Sequence, residues 1–232
     1  MSKKNLVIFS GAGVSAESGL KTFRDAGGLW EEFKIEDVAT PEAWAKDPAL
    51  VNNFYNLRRK QVMEALPNEA HKIIATLSNT FNIKIITQNI DDLHERAGSK
   101  DVLHLHGEIM KVRSSVDEKL ISKLNKWEVK MGDRCEKGSQ LRPHIVWFGE
   151  MVPEMDNAIL IAEKADLFVV IGTSLNVYPA AGILNYVPQT ALKWLIDPGE
   201  FNLDYVANLK HIKAVASEGM KIFREQLQAV KL

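Results

Sequence analysis

Five short apolar runs punctuate the chain: LVIF (6–9), IKII (83–86), IVWF (145–148), LFVVI (167–171) and LKWLI (192–196). They are rich in β-branched residues and do not alternate with polar ones, the pattern of strands covered on both faces. Segments of helical period lie between them, at about 48–66, 68–79, 153–164 and 217–230, the last with Met220, Ile222, Phe223 and Leu227 near one face. The predicted fold is α/β, a Rossmann-like open parallel sheet flanked by helices.

Two connections exceed the usual 2–6 residues of such folds: about fifty residues between the turn at Gly11 and the strand at Ile83, and about forty between His106 and the strand at Ile145. These insertions are expected to pack together as a smaller lobe (about 36–79 and 108–142) against a large lobe (about 1–35, 80–107 and 143–232), within one domain of 232 residues.

Composition narrows the function. A formal net charge of −1 argues against a nucleic-acid partner, and the basic N-terminus has too few consecutive apolar residues for a signal peptide or a spanning helix. One cysteine, Cys135, excludes an internal disulfide and any site of several thiolates. The expectation is a cytoplasmic monomer without nucleic-acid or membrane partners.

Gly11, Gly13 and Ala16 follow the first strand in G-x-G-x-x-A spacing, which brings backbone close to a pyrophosphate at a helix N-terminus. A tight strand-to-helix turn without ligand is the other reading. A dehydrogenase would place an acid after a second strand about 20 residues on; here KTFRDAGGLWEEF (21–33) has no strand before Glu31 or Glu32. An aromatic, Phe23, a fixed cation, Arg24, and the pair Gly27–Gly28 suit a mobile loop closing over a ligand; the other reading, a surface loop pinned in the core by Phe23 and Trp30, suits Trp30 better and Arg24 less.

At the C-terminal end of the second strand stand Gln88, Asn89 and Asp91, at the edge where open α/β sheets bind ligands. The alternative is that Asn89 or Asp91 caps the helix starting near Asp92, a role better suited to Asp92 itself. In VLHLHGE (102–108), His104 and His106 share a face if the segment is extended, and His106, before a glycine, is a candidate general base. Gly172, Thr173 and Ser174 end another strand, where small hydroxyl residues can hold phosphate or ribose oxygens. The spacing of histidines and acids does not make a metal site.

GAGVSAESG, TFR, TQNID, LHGE, LRPHIVWFGE and GTSLNVYPAAG, in this order across nearly the whole chain, resemble the sirtuins, NAD-dependent protein lysine deacylases. The resemblance implies that Gly11, Ala12 and Gly13 cradle the pyrophosphate of NAD, and that Phe23 and Arg24 cover its reacting end. Gln88, Asn89 and Asp91 would position nicotinamide and its ribose. Gly172, Thr173, Ser174, Asp197 and Ala216 would hold the adenosine half, with Ser15, Ser18, Thr22, Trp30 and Ile90 completing the cofactor site. His106 would be the general base, with Asn89 and Asp91 also catalytic. In this family the acyl-lysine oxygen attacks the ribose as nicotinamide leaves, and O-acyl-ADP-ribose and free lysine result. Val146, Trp147 and Phe148 would line the acyl-lysine tunnel, the partners being acylated-lysine proteins or peptides.

Tyr55 and Arg58 lie three apart on one helix face, so a phenol and a guanidinium can meet one carboxylate. The pair resembles the Tyr-x-x-Arg of sirtuins that prefer succinyl- and malonyl-lysine, and Ala39 matches the small residue that widens their pocket. Otherwise Arg58 and Arg59 form a solvated helix face. Most sirtuins also carry four zinc cysteines. Here Ser114 occupies the first position, eight residues after His106, and Lys137 precedes Gly138, where the last would fall. No zinc is therefore expected, and the small lobe must be held by packing of residues such as Leu120, Ile121, Leu124 and Trp127. Asp197 stands where an asparagine is common, and Lys21 replaces a loop proline. Mono-ADP-ribosyl transfer and a non-catalytic ADP-ribose or acyl-lysine binding module are the alternative functions.

Overall fold

The computed structural model describes residues 3–20, 33–173, 179–201 and 206–229. Six strands form a wholly parallel sheet in the order β3-β2-β1-β7-β8-β9: β1 (Asn5–Ser10), β2 (Asn82–Thr87), β3 (Val102–His104), β7 (Leu167–Ile171), β8 (Leu192–Ile196) and β9 (Leu209–Ile212). The chain leaves central β1 for β2 on one side and later returns through β7 on the other, so the topological switch point lies at the C-terminal end of β1.

The unalternating runs follow from cover on both sides. Leu6 and Ile8 of β1 face one core, with Ala70, Ile73 and Ile74 of α5 (Glu69–Thr76) and Met220, Phe223 and Leu227 of α8 (Ala216–Ala229). Val7 and Phe9 face the other, against Ala158 and Ala162 of α7 (Met155–Ala162) and the 3₁₀ segment Ala180–Tyr186. None of the described helices is long and apolar enough to cross a membrane.

The segment predicted as a strand at 145–148 is not part of this sheet. Strand β6 is Leu141–Ile145 and pairs antiparallel with β4 (Gly107–Ser114), which also pairs with β5 (Ile121–Lys123), making a separate three-stranded sheet. Residues 146–148 then cross between the lobes: Val146 N–H donates to His106 O at 3.0 Å and Phe148 N–H to Ala39 O at 3.0 Å. A wall buried between two lobes needs the same apolar run as a sheet buried between two helix layers, so pattern alone cannot separate them. The edge strands β3 and β9 complete the large sheet instead.

After the short α1 (Gly13–Ala16), the inserted region before β2 supplies α2 (Ile35–Val38), α3 (Pro41–Lys46) and α4 (Pro48–Glu64). Thr40 and Asp47 cap α3 and α4 through their side chains, each followed by a proline in the first turn. Helix α5, which the expected division assigns to the smaller lobe, buries Ala70, Ile73 and Ile74 in the large-sheet core instead. A third core joins Val51, Phe54 and Tyr55 of α4 to Ile109 of β4, Ile145 and Trp147.

The small sheet is not held as expected. Ile121 and Trp127 are exposed, at 45% and 39% of their surface. Polar pegs from α4 take over the task. Asn56 accepts from Val129 N–H and donates to Val129 O, both at 2.9 Å. Arg59, wholly buried, donates to Ile109 O, Trp127 O and Asn56 Oδ1 at 2.7, 2.6 and 2.8 Å. Arg59 therefore does not lie on a solvated face. Burial pushes its pKa down to about 10, which leaves it charged at neutral pH.

Candidate functional site

A cleft of about 920 Å³ runs along the C-terminal edge of the large sheet and under the crossing segment, near the upper end for small-molecule sites. Gly11, Ala12, Gly13 and Ser15, then Gln88, Asn89, Ile90 and Asp91, and then His106 line it. So do Val146, Trp147 and Phe148, together with Ala39, Tyr55 and Arg58 from the inserted helices, and Gly172, Thr173, Asp197 and Ala216 from the far half of the sheet. Ser18 is not among the lining residues; its Oγ accepts from Asn68 Nδ2 at 3.0 Å behind the turn. Thr22, Phe23, Arg24, Trp30 and Ser174 lie outside the described residues.

The glycines have a task beyond any ligand. A Cβ on Gly11 would sit 2.6 Å from Thr173 Cβ, and one on Gly172 would sit 2.3 Å from Val14 N, with Gly172 at φ +63°. Gly11 N–H donates to Ile171 O, Gly13 N–H to Gly172 O and Gly172 N–H to Ile196 O. These glycines thus let two strand-end turns press together; the amides of Gly11 and Gly13 are committed to that contact and the amide of Gly172 to the end of β8.

Side chains on β2's exit form one network. Ser15 Oγ donates to Asp91 Oδ2 at 3.0 Å and accepts from Asn89 Nδ2 at 3.1 Å. Asp91 Oδ1 also accepts from Leu93 N–H at 3.2 Å, so the cap of α6 (Leu93–Arg96) falls to Asp91, whereas Asp92 makes no side-chain cap and pairs with Arg96 at 3.5 Å. Burial raises the Asp91 pKa, and the donors from Leu93 and Ser15 oppose it. Gln88 Nε2 reaches Thr173 Oγ1 at 3.1 Å, tying the two halves of the edge.

The two histidines behave oppositely. His106 Nδ1 lies 2.9 Å from Gln88 O, and since a carbonyl only accepts, the proton sits on Nδ1 and Nε2 carries the lone pair. Burial lowers its pKa, against a smaller raising effect of that bond. Burial would also lower His104, but Glu95 at 2.8 Å and Asn89 O at 2.9 Å outweigh it and raise its pKa. His104 thereby fixes the backbone of Asn89 from behind.

Tyr55 Oη accepts from Trp147 Nε1 at 3.0 Å, and both residues are almost fully buried at the cleft wall. The Arg142 guanidinium lies 3.3 Å from the Trp147 ring centroid. Glu150 receives Arg142 at 2.9 Å, Arg113 at 3.0 Å and the Trp147 backbone N–H at 2.8 Å. Sequence reasoning missed Arg142 and Glu150; their position as charged residues flanking an apolar run, R-P-H-I-V-W-F-G-E, is the signal that could have found them.

The positions of the missing zinc cysteines do not fit that metal. Ser114 Oγ lies 2.8 Å from Ser139 Oγ, which lies 3.1 Å from Cys135 Sγ, and Lys137 pairs with Asp117 at 2.6 Å. Hydrogen bonds from Ser114 and Ser139 lower the Cys135 pKa to about 7. Among the described residues no group of three or more His, Cys, Asp or Glu could hold a metal ion.

A model of the Sir2 family matches residues 11–179. An NAD-dependent protein deacylase of Bacteroides thetaiotaomicron is 55% identical over 229 residues, covering 97% of this chain and 98% of that protein. One from Helicobacter pylori is 51% identical, covering 94% and 95%. Among solved structures, a Sir2 homolog in complex with NAD is 41% identical with a TM-score of 0.88, over 98% of this chain and 91% of that one.

Proposed function

The chain belongs to the Sir2 family and is an NAD-dependent protein deacylase, and from that premise we propose that it prefers acyl groups ending in a carboxylate, succinyl and malonyl, over acetyl. The observation that carries this reading is the presence of Tyr55 and Arg58 in the wall of the cleft that also contains His106. A phenol and a guanidinium three residues apart suit a carboxylate at the end of a short acyl chain. Ala39, which occupies little space, leaves room for that chain.

NAD supplies a glycosidic bond to nicotinamide, whose cleavage leaves an electrophilic ribose carbon. Asn89 and Asp91, fixed by Ser15, orient that end of the dinucleotide. The buried network around them replaces water with set dipoles. His106 Nε2 takes the proton of a ribose hydroxyl, its ring held by Gln88 O. Thr173, Asp197 and Ala216, at the far end of the cleft, hold the adenosine half. Val146 and Phe148, bonded to His106 O and Ala39 O, keep the acyl-lysine channel's wall taut between the lobes. Acylated-lysine proteins in a reducing, cytoplasmic setting are the substrates this reading implies, the single cysteine supporting the compartment.

The test is kcat/KM on matched acetyl-, malonyl- and succinyl-lysine peptides with Arg58→Met. The succinyl-to-acetyl ratio is expected to fall by about 10- to 100-fold, the worth of a charge-assisted contact. Parallel loss on both peptides overturns the carboxylate role.

A further inference from the structure

A tyrosine hydroxyl is ambivalent: it donates one hydrogen bond and accepts others, so its use as a carboxylate reader depends on which way its proton points. In this cleft the ambiguity is narrowed from behind. The indole N–H of Trp147 is a donor only, and at 3.0 Å from Tyr55 Oη it occupies an acceptor position on the phenol. What the hydroxyl offers to a carboxylate, which only accepts, is its proton. Burial keeps that proton on, since desolvation raises the phenol's pKa above its ordinary value against the opposing effects of Trp147, Arg142 and Arg58.

Trp147 is itself held at its ring and at its backbone. Its face carries the Arg142 guanidinium at 3.3 Å, and its backbone N–H is bound by Glu150 Oε2 at 2.8 Å. Arg142 is in turn fixed by Glu150 at 2.9 Å and by Ile145 O at 3.1 Å. Trp147 is 2% exposed, so the N–H has no water to turn to. A merely space-filling aromatic would need none of these polar anchors, and leaving the indole N–H or the phenol unpaired in this wall would be costly.

We propose that Trp147, clamped by Arg142 and Glu150, is a positioning residue that fixes the Tyr55 hydroxyl as a donor toward the carboxylate of an acyl-lysine. The inference rests on the carboxylate reading of Tyr55 and Arg58 given above.

The test is a double-mutant cycle on the succinyl-to-acetyl ratio of kcat/KM. Trp147→Phe keeps an aromatic ring and removes the N–H. It is expected to lower the ratio by about three- to tenfold, the worth of one hydrogen bond, mainly through KM for the succinyl peptide. In the Tyr55→Phe background the same change is expected to leave the ratio where Tyr55→Phe alone put it, because no hydroxyl remains to orient. An unchanged ratio in the Trp147→Phe single variant, or full additivity in the cycle, overturns the proposal. If Trp147→Phe does not fold, 3-benzothienylalanine at position 147, which exchanges only the N–H for sulfur, is held to the same criteria. Arg58→Met, measured alongside, separates the two failures. A ratio unmoved by Arg58→Met overturns the carboxylate reading and this inference with it. A ratio lowered by Arg58→Met but indifferent to position 147 overturns the positioning role alone.

Discussion

His106 holds its Nδ1 proton against the carbonyl oxygen of Gln88 at 2.9 Å, so the strand end that supplies a cleft-lining amide also decides which imidazole nitrogen is basic. Burial lowers the His106 pKa below its ordinary value, and the neutral base is therefore present from mildly acidic pH upward. The acid limb of kcat/KM is expected to fall below pH 6.5, the unperturbed histidine value. His106→Ala is expected to lower kcat by about 10²- to 10⁴-fold while NAD still binds in calorimetry. An acid limb centred above pH 6.5, or a His106→Ala variant with near-normal turnover, contradicts this assignment.

Gly172 meets the first turn so closely that alanine has no room, and its φ of +63° adds backbone strain. Gly172→Ala is expected to destabilise the protein by about 2–4 kcal/mol in urea unfolding and to weaken NAD binding together with it. Gly138, at φ +77° with nothing within 4 Å of its added Cβ, provides a comparison in which only the strain of about 1 kcal/mol applies. Equal losses at the two positions would show that the turn-to-turn contact is unimportant.

Elemental analysis of the purified protein is expected to find far less than one zinc per chain, and a chelator is expected to leave the melting temperature unchanged. The paired hydroxyls of Ser114 and Ser139 and the Lys137–Asp117 ion pair occupy the region where thiolates would bind. One tightly held zinc per chain refutes the expectation.

Acid sensitivity should arise behind the cofactor turn. His71 and His94 are both fully buried, with ring centroids 4.9 Å apart, and His94 Nε2 lies 3.0 Å from Ser10 Oγ. Burial lowers His71 to about pH 4, against a small raising effect of Glu95, and lowers His94 well below its ordinary value. The unfolded chain takes up these protons near pH 6.5 while the native one resists, so stability is complete above pH 6.5 and is lost as pH falls toward 4. His71 alone accounts for about 3 kcal/mol of that loss, at about 1.4 kcal/mol per pH unit. His71→Asn is expected to flatten the urea midpoint between pH 6.5 and 4; an unchanged slope refutes the assignment.

Much of this architecture was legible in the residues. The runs at 6–9, 83–86, 167–171 and 192–196 are sheet strands because each is sandwiched between helix layers, an environment that favours predominantly apolar sequence. The run at 145–148 carries the same signal for another reason, burial between lobes, and only tertiary structure distinguishes the two. Gly11, Gly13, Gln88, Asn89, Asp91, Gly172 and Thr173 were recognisable because they sit at the ends of strands, whereas Ala39, Val146, Trp147, Phe148, Asp197 and Ala216 were named through the family resemblance. Arg59 was not recognisable: nothing in R-R-K says which arginine turns inward, and its partners Ile109 and Trp127 are 50 and 68 residues away. The same distance hid Asn56 and its pairing with Val129.

Helix α4 carries two alphabets on adjoining stripes. Tyr55 and Arg58 address the cleft, while Asn56 and Arg59, each one position on and so turned by about 100°, bolt the antiparallel sheet to the helix. Chemical preference and scaffolding are thereby separated at positions 58 and 59, and meet at Tyr55. Evolution, or an engineer, can rewrite position 58 to court a different modification without loosening the bolts at 56 and 59, whereas a change at 55 must also satisfy the Trp147 indole.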